Sequence, residues 1–147
     1  LAKHLSTTAK EPHAWEYSHD LVGYNYRLPN LNAALLCAQM EQLDSFIAKK
    51  RITATLYQAF FKNRGNPKFK TAPSYCKSNH WLNAIEFKNL GERDNFLQTS
   101  NENGIMTRPI WKLLNNLSMY KKSPSGNLKN AIYLEERIVN IPSSVIR

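Results

Sequence analysis

Residues 19–35, HDLVGYNYRLPNLNAAL, form the stretch around which the 147-residue chain is organised. A glycine is followed by two tyrosines that alternate with Asn25 and Arg27, and then by Pro29. Proline suits the first turn of a helix, because its φ is fixed and the N–H it lacks would have no partner there. Arg27 can bind a carboxylate or phosphate through two parallel hydrogen bonds, and Asn25 can donate and accept. On residue types alone, a loop entering a helix with Arg27 in a structural ion pair is the simpler interpretation.

A long helix is predicted over residues 30–62. Its apolar side chains recur at steps of three and four residues, from Leu31 and Leu35 to Phe46 and Phe60, which is the spacing of one helical face. Asp44 introduces a break, so we expect the helix to be kinked or split near that residue. Residues 64–67 contain a glycine and a proline that end it.

The remaining residues alternate between short strands and helices. Strands are predicted over 69–72, 80–87, 105–108 and 138–141, and helices over 90–103 and 128–137. Gly104 is placed to cap the first of these helices at its C-terminus. Residues 1–20 indicate a short helical end followed by a loop, and 111–124 a loop with one turn of helix. The predicted fold class is α/β, a long helix followed by a small domain with a short, mainly antiparallel sheet.

Charge and composition limit the classes of partner. The formal net charge is +9, with 42% hydrophobic residues, which is typical of a folded domain with an anionic partner. The basic runs, residues 49–51 and 121–122, are too short for a nucleic-acid tail, so we expect them to lie on solvated faces. No apolar stretch reaches the ~20 residues of a membrane helix, and no signal region is present. We therefore expect a cytoplasmic location without a membrane or nucleic-acid partner.

No catalytic or metal-binding motif is recognisable from residue types. Cys37 and Cys76 form no metal spacing, and His4, His13 and His19 are too widely spaced for one helical face. There is no GxSxG, P-loop or GxGxxG motif. By itself the sequence indicates a site that binds anions, with no catalytic residue and no metal.

Several consecutive motifs resemble one enzyme family. The chain is similar, nearly from end to end, to the second half of the DegT/StrS sugar aminotransferases, and most to the branch that serves legionaminic-acid-type surface sugars. The matching stretches are AKHLSTTAK (2–10), HDLVGYNYRLPNLNAA (19–34), HWLNAI (80–85), GIMTRPIW (104–111), MY (119–120) and VNIPSS (139–144).

The resemblance implies a fold-type-I aminotransferase that binds pyridoxal phosphate and forms a homodimer with shared active sites. It places Asn25 and Arg27 at the phosphate of the neighbouring subunit's cofactor, with Tyr26 and His19 as further candidates. It assigns substrate contacts to Arg108, Trp111 and Tyr120. Core packing stays an alternative for Trp111, and packing within a strand is expected for Trp81 and Asn83.

The resemblance also implies an activity: an amino group passes from glutamate to a keto sugar on a nucleotide carrier, in the biosynthesis of bacterial surface polysaccharides. Asn115 and Ser118 depart from the family's common histidine and proline, which leaves the sugar preference open. The Schiff-base lysine belongs to a large domain that would precede Leu1, and the chain opens without methionine. We therefore expect a C-terminal portion that is inactive alone.

The predicted organisation is an end of the large domain with an interface loop (1–29), a connecting helix (30–62) and a small α/β domain (63–147). Two alternatives stay open. One is a stand-alone basic module that binds anions, and the other is a sugar dehydratase of the same family, since the residue that separates dehydration from transamination lies in the absent half.

Overall fold

The computed structural model describes residues 1–13 and 18–145, which form two compact units. Unit 1 is Leu1–Leu43, and unit 2 begins at Asp44. The predicted three-part organisation concerns a longer protein and stays a prediction. No helix among the described residues is long and apolar enough to cross a membrane.

In the described residues of unit 1, two helices are joined by a loop that pairs with itself. Helix α1 is Ala2–Leu5 and α2 is Asn30–Glu41, which begins directly after Pro29 as predicted. Two isolated bridges link Thr7 to Asn25 and Lys10 to His19. Trp15 and Tyr17, which the sequence places in the predicted loop, lie outside the described residues.

The predicted long helix is confirmed, with a break. Helix α2 ends at Glu41, and α3 runs over Leu43–Phe61. Between them, the N–H of Gln42 donates to the carbonyl of Gln39 at 3.2 Å. This is the tighter bond of a 3₁₀ turn, which ends an α-helix. The expected split near Asp44 therefore falls two residues earlier.

Unit 2 is built on a four-stranded sheet in which every pair is antiparallel. Its strands are β1 (Lys68–Phe69), β2 (Asn83–Glu86), β3 (Arg108–Pro109) and β4 (Ile138–Ile141), in the spatial order β1-β2-β4-β3. Helix α4 is Leu90–Glu102, α5 is Lys129–Glu135, and two 3₁₀ turns cover Leu114–Asn116 and Ser118–Tyr120. The predicted α/β class with a small antiparallel sheet is confirmed, and β4 has the predicted bounds.

The strand predicted over 105–108 is wrong, because residues 105–107 close the end of α4 instead. Gly104 has φ +74°, as a C-terminal cap requires. The N–H of Ile105 donates to the carbonyl of Ser100 at 2.9 Å, and the hydroxyls of Ser100 and Thr107 lie 2.6 Å apart. The strand therefore begins only at Arg108. Strands β1 and β2 are likewise shorter than predicted.

The core of unit 2 lies between the sheet and two helices. Ile85 and Val139, which face each other across β2 and β4, are fully buried, and Phe87 and Ile141 join them. The partly buried side chains packed against this cluster come from α3, β1 and α4: Tyr57, Phe61, Phe69, Phe96 and Leu97. The apolar packing fixes the sheet against α3, the helix that also supports the groove described below.

Truncation of the core should destabilise the fold. We expect Ile85→Ala to lower the free energy of unfolding by about 2–5 kcal/mol, because it removes buried methyl groups and leaves a cavity. Ile105→Ala, at a residue that is 52% exposed, should change it by less than about 0.5 kcal/mol. Urea unfolding followed by circular dichroism measures the free energy of unfolding of both variants. Equal losses of this free energy would contradict the assignment of Ile85 to the core.

Candidate functional site

A hydrogen-bonded loop in unit 1 presents the residues predicted to bind phosphate. Tyr24 donates its N–H to the carbonyl of Leu5 at 2.7 Å, and Tyr26 donates to Ser6 at 2.9 Å. Thr8 donates its N–H to the carbonyl of Tyr24 at 3.0 Å. The segment 23–27 is therefore held against the end of α1 by main-chain bonds, which leaves its side chains available for a ligand.

Gly23 permits this close pairing. A Cβ at this position would lie 2.4 Å from the carbonyl carbon of Thr8 and 2.5 Å from the nitrogen of Ala9. Such distances are far inside van der Waals contact, and both atoms belong to the backbone. Thr8 and Ala9 have positive φ, 71° and 49°, conformations that non-glycine residues rarely adopt. The two segments thus fit only because one of them lacks a side chain.

Asn25 and Arg27 lie together at the exposed end of this loop. The Oδ1 atom of Asn25 accepts the N–H of Arg27 at 3.1 Å, which fixes the amide and leaves its NH₂ group as a donor. Within 1–13 and 18–145, no acceptor bonds the guanidinium of Arg27 and no carboxylate pairs with it. The arginine is therefore not in the structural ion pair that residue types alone suggested.

His19 and Tyr26 belong to the same loop, but the ring of His19 is hydrogen-bonded to the backbone, whereas that of Tyr26 is largely exposed. The Nδ1 atom of His19 donates to the carbonyl of Thr8 at 2.7 Å, so only Nε2 is left for a ligand. Tyr26 is 75% exposed and its ring stacks on Tyr24 at a centroid distance of 5.9 Å. The structure therefore brings all four predicted cofactor residues, Asn25, Arg27, Tyr26 and His19, into one loop of unit 1.

A hydrogen bond between His4 and Asp20 also holds this loop. The Nε2 atom of His4 donates to Oδ1 of Asp20 at 2.5 Å. This hydrogen bond, together with the charge of His4, holds the pKa of the Asp20 carboxyl below its usual range. Asp20 therefore stays ionised at neutral pH and ties α1 to the start of the 19–27 segment.

A second exposed surface lies in unit 2, at the sheet edge where β2 and β3 begin and β4 ends. It is an open groove of about 660 Å³, which we call the tryptophan groove. Its walls include Trp81, Met106, Arg108, Trp111 and Ser143. The rings of Trp81 and Trp111 have centroids 6.2 Å apart and are tilted by 31°.

The tryptophan groove combines aromatic faces with a cation. Trp81 is 64% exposed and Trp111 71%, although tryptophan is highly buried on average. Trp111 is therefore not packed in the core of the described residues, and the expectation that Trp81 packs within a strand is wrong, because β2 begins two residues after it. Asn83, by contrast, is buried as expected. The guanidinium of Arg108 approaches the sulfur of Met106 at 3.5 Å and has no carboxylate partner in the described part of the chain.

Tyr120 does not line this groove. It lies in the second 3₁₀ turn and borders a different cavity of about 400 Å³, together with Asn115 and Leu128. Of the three predicted substrate residues, the structure therefore brings Arg108 and Trp111 together and places Tyr120 elsewhere.

Lys50 is a residue whose role the sequence did not indicate. It belongs to the basic run 49–51, which was expected to lie on a solvated face; Lys49 and Arg51 are exposed, but Lys50 is half-buried. Its ammonium donates to three main-chain carbonyls, those of Ser143, Trp81 and His80. No local signal could have found this, because the acceptors are 30 to 93 residues away in sequence.

Comparison with known proteins identifies the family. A model of the DegT/DnrJ/EryC1/StrS aminotransferase family matches residues 2–145. The chain belongs to this family. The resemblance found in the sequence is thereby confirmed, while its placement in the legionaminic-acid-type branch stays a prediction.

Two proteins of known name are similar to most of this chain. EpsN of Bacillus subtilis (strain 168), whose name describes a pyridoxal phosphate-dependent aminotransferase, is 32% identical over 119 residues, 81% of this chain and 30% of EpsN. GDP-perosamine synthase of Escherichia coli O157:H7 is 30% identical over 128 residues, 87% of this chain and 34% of that protein. The chain thus spans about a third of the length of these relatives.

A solved structure confirms the aminotransferase fold. Spr1654 from Streptococcus pneumoniae, in its PLP-form, superposes with a TM-score of 0.80 at 20% identity, covering 97% of this chain and 37% of that one. The likeness concerns the fold alone.

Replacement of Gly23 should disrupt the loop of unit 1. In Gly23→Ala the new methyl group has to push residues 8 and 9 away, and we expect a loss of stability of about 1–3 kcal/mol, with faster amide exchange at Thr8 and Tyr24. Gly126→Ala, where nothing lies within 4 Å of the new Cβ, is the matched control. Unchanged exchange at Thr8 in the Gly23 variant would show that the segments are not closely paired.

Proposed function

We propose that the chain is the C-terminal portion of a pyridoxal phosphate-dependent aminotransferase that transfers an amino group from glutamate to a keto sugar on a nucleotide carrier. The family match over residues 2–145 and the relatives named as a pyridoxal phosphate-dependent aminotransferase and a GDP-perosamine synthase support this proposal. The observation that carries it furthest is the tryptophan groove, where two exposed indoles adjoin the unpaired Arg108. Production of sugars for bacterial surface polysaccharides is the proposed setting.

The loop of unit 1 is proposed to hold the cofactor's phosphate in the neighbouring subunit of a homodimer. The residues fit an anionic phosphate ester: Arg27 offers an unpaired guanidinium, Asn25 offers an NH₂ group, and the hydroxyl of Tyr26 adds a further donor. Nε2 of His19 would donate to the phosphate only from the protonated ring, because Nδ1 carries the proton of the neutral ring. No carboxylate pairs with Arg27 among the described residues, so no internal anion competes for it. When bound, pyridoxal phosphate supplies the electron sink on which amino transfer depends.

The tryptophan groove is proposed to hold the substrate. Flat rings stack favourably on exposed indoles, and a guanidinium recognises phosphate oxygens through parallel hydrogen bonds. A nucleotide-linked sugar carries both features, a flat base and an anionic diphosphate. Arg108 and Trp111 therefore take substrate-binding roles, with Tyr120 as a further substrate residue from its separate cavity.

The apolar side chains of α2 are consistent with a larger assembly. This helix contains no buried residue, and Leu31 and Met40 are largely exposed. Exposed apolar surface of this kind marks contact with other protein surface, which the proposed homodimer and large domain would provide. The cofactor-linking lysine is proposed to lie in that large domain, so the chain by itself does not catalyse.

Amino transfer by the complete protein that contains this chain tests the proposal. We expect nitrogen from ¹⁵N-glutamate to appear in the amino sugar when nucleotide-linked keto sugars are supplied with pyridoxal phosphate. Arg27→Met should raise the Kd for pyridoxal phosphate about tenfold or more, because a hydrogen bond to a charged group contributes ~1.5–3 kcal/mol. Arg51→Met, at an exposed arginine outside the loop, is the control and should leave that Kd unchanged.

Other outcomes identify the alternatives. Consumption of the keto sugar without transfer of glutamate nitrogen would indicate a dehydratase. Salt-sensitive binding to generic polyanions without any turnover would indicate an anion-binding module. An Arg27→Met protein with the same cofactor affinity as wild type would remove the loop's proposed role while leaving the activity in place.

A further inference from the structure

The ammonium of Lys50 links two chain segments that form one end of the tryptophan groove. From α3 it donates to the carbonyl of Ser143 at 2.6 Å, to that of Trp81 at 3.2 Å and to that of His80 at 3.5 Å. Ser143 follows the end of β4, while His80 and Trp81 precede β2. One side chain thus joins the exit from one strand to the entry of its neighbour.

The three carbonyls take the place of an acidic partner. Within residues 1–13 and 18–145 no carboxylate lies within ion-pair distance of Lys50, although the lysine is half-buried. An ammonium group has three N–H donors, and each of them has one acceptor here. Burial of a charge is costly unless it is hydrogen-bonded, so this arrangement holds the lysine and the carbonyls in one geometry.

The backbone beside Trp81 needs such support. His80 has φ +51°, a left-handed conformation that is unfavourable for a residue with a side chain. The N–H of His80 donates to Oγ of Ser78 and that of Trp81 to Oδ1 of Asn79, both at 3.0 Å. Lys50 binds the carbonyls of the same two residues. Together these bonds fix the turn at His80 and Trp81 from which the chain enters β2.

Ser143 connects the same lysine to the sheet. Its Oγ accepts the N–H of Asn83 at 2.7 Å and donates to the carbonyl of Ile141 at 2.7 Å. Ser143 also lines the tryptophan groove. The lysine is therefore bonded to two residues of the groove wall, one from each segment, without lining the groove itself.

We propose that Lys50 is a positioning residue for substrate binding: by joining Ser143 to Trp81 it holds the indole of Trp81 beside Trp111 as a stacking surface for the nucleotide part of the substrate. This inference rests on the proposed function of the groove. Trp81 is then a binding residue, and Lys50 acts only through it.

Lys50→Met in the complete protein tests the proposal, because methionine keeps the length and apolar stem of the side chain and removes its donors. GDP, UDP and dTDP serve as probes in calorimetric titrations. For the nucleotide that binds wild type best, we expect the Kd to rise about tenfold, the scale of a lost stacking contact. In turnover, KM for the nucleotide sugar should rise with kcat unchanged, since the loss affects ground and transition states equally.

Two control variants separate positioning from general stability. Lys49→Met removes the neighbouring, exposed lysine and should leave the Kd unchanged. Tyr57→Phe removes a hydroxyl that donates to the carbonyl of Pro142 at 3.1 Å. This bond also joins α3 to the residues that follow β4, but it does not involve Trp81. Equal weakening by Tyr57→Phe and Lys50→Met would overturn the proposal in favour of general anchoring.

A double-mutant cycle with Trp81→Ala gives the decisive readout. If Lys50 acts through Trp81, Lys50→Met should weaken binding no further in the Trp81→Ala background. Losses of binding free energy that add in the double variant, or an unchanged Kd in Lys50→Met, would overturn the proposal. Should the methionine variant prove too unstable to assay, Lys50→Gln, with a shorter neutral amide, takes its place; an unchanged Kd there would overturn it equally.

The outcomes for the two proposals are distinguishable. If wild type binds none of the three nucleotides, the proposed function of the groove fails, and this inference falls with it. If wild type binds one of the nucleotides, Trp81→Ala is compared with Lys50→Met. Weaker nucleotide binding in Trp81→Ala but not in Lys50→Met would support the function of the groove and refute only the role of Lys50.

Discussion

The pairing of β2 with β4 is the constraint on which unit 2 depends. Its register sets Asn83 opposite Ile141, and the pairing of β3 sets Arg108 opposite Asn140. Because both pairs are antiparallel, the chain enters β2 and β3 and leaves β4 at one edge of the sheet. Residues from three distant parts of the sequence therefore converge there. The same register places Ile85 and Val139 opposite each other at the centre of the core, so one ladder supports both stability and the groove.

Unit 1 depends on a different constraint, the close approach of two backbones at Gly23. Main-chain bonds hold the loop around this residue, so that the guanidinium of Arg27 and the NH₂ group of Asn25 have no acceptor among the described residues. Part of the net charge of +9 is located at this loop and at the tryptophan groove. At each surface one arginine is exposed and lacks a carboxylate partner within the described parts of the chain, whereas Arg93 and Arg137 are paired with acidic neighbours.

Much of the fold could be predicted from local signals. The spacing of apolar residues predicted the helix that begins at Asn30, Asp44 predicted its break, and Gly104 predicted the end of α4. The strand at 105–108 was wrong because its residues bond back to Ser100, a contact that alternation of side chains does not encode. Trp81 was assigned to the packing of a strand because it lies within the predicted strand 80–87, but the strand begins only at Asn83, after a left-handed residue at His80.

Less of the candidate site than of the fold could be predicted from the sequence. Asn25 and Arg27 stood out by residue type, but their roles came only from the family resemblance. Arg108 and Trp111 share a groove, while Tyr120, assigned by the same resemblance, borders another cavity. Lys50 was missed because a basic run usually lies in solvent, and its acceptors become neighbours only through the strand pairing.

We propose that this chain supplies binding surfaces to an enzyme whose cofactor-linking lysine lies elsewhere in the protein. The most direct measurement is borohydride reduction of the complete protein and of the 147-residue chain after mixing with pyridoxal phosphate, followed by peptide mapping. We expect a specific adduct on a lysine of the complete protein outside these residues, and none on the chain alone. A specific adduct on one lysine among these 147 residues would contradict it.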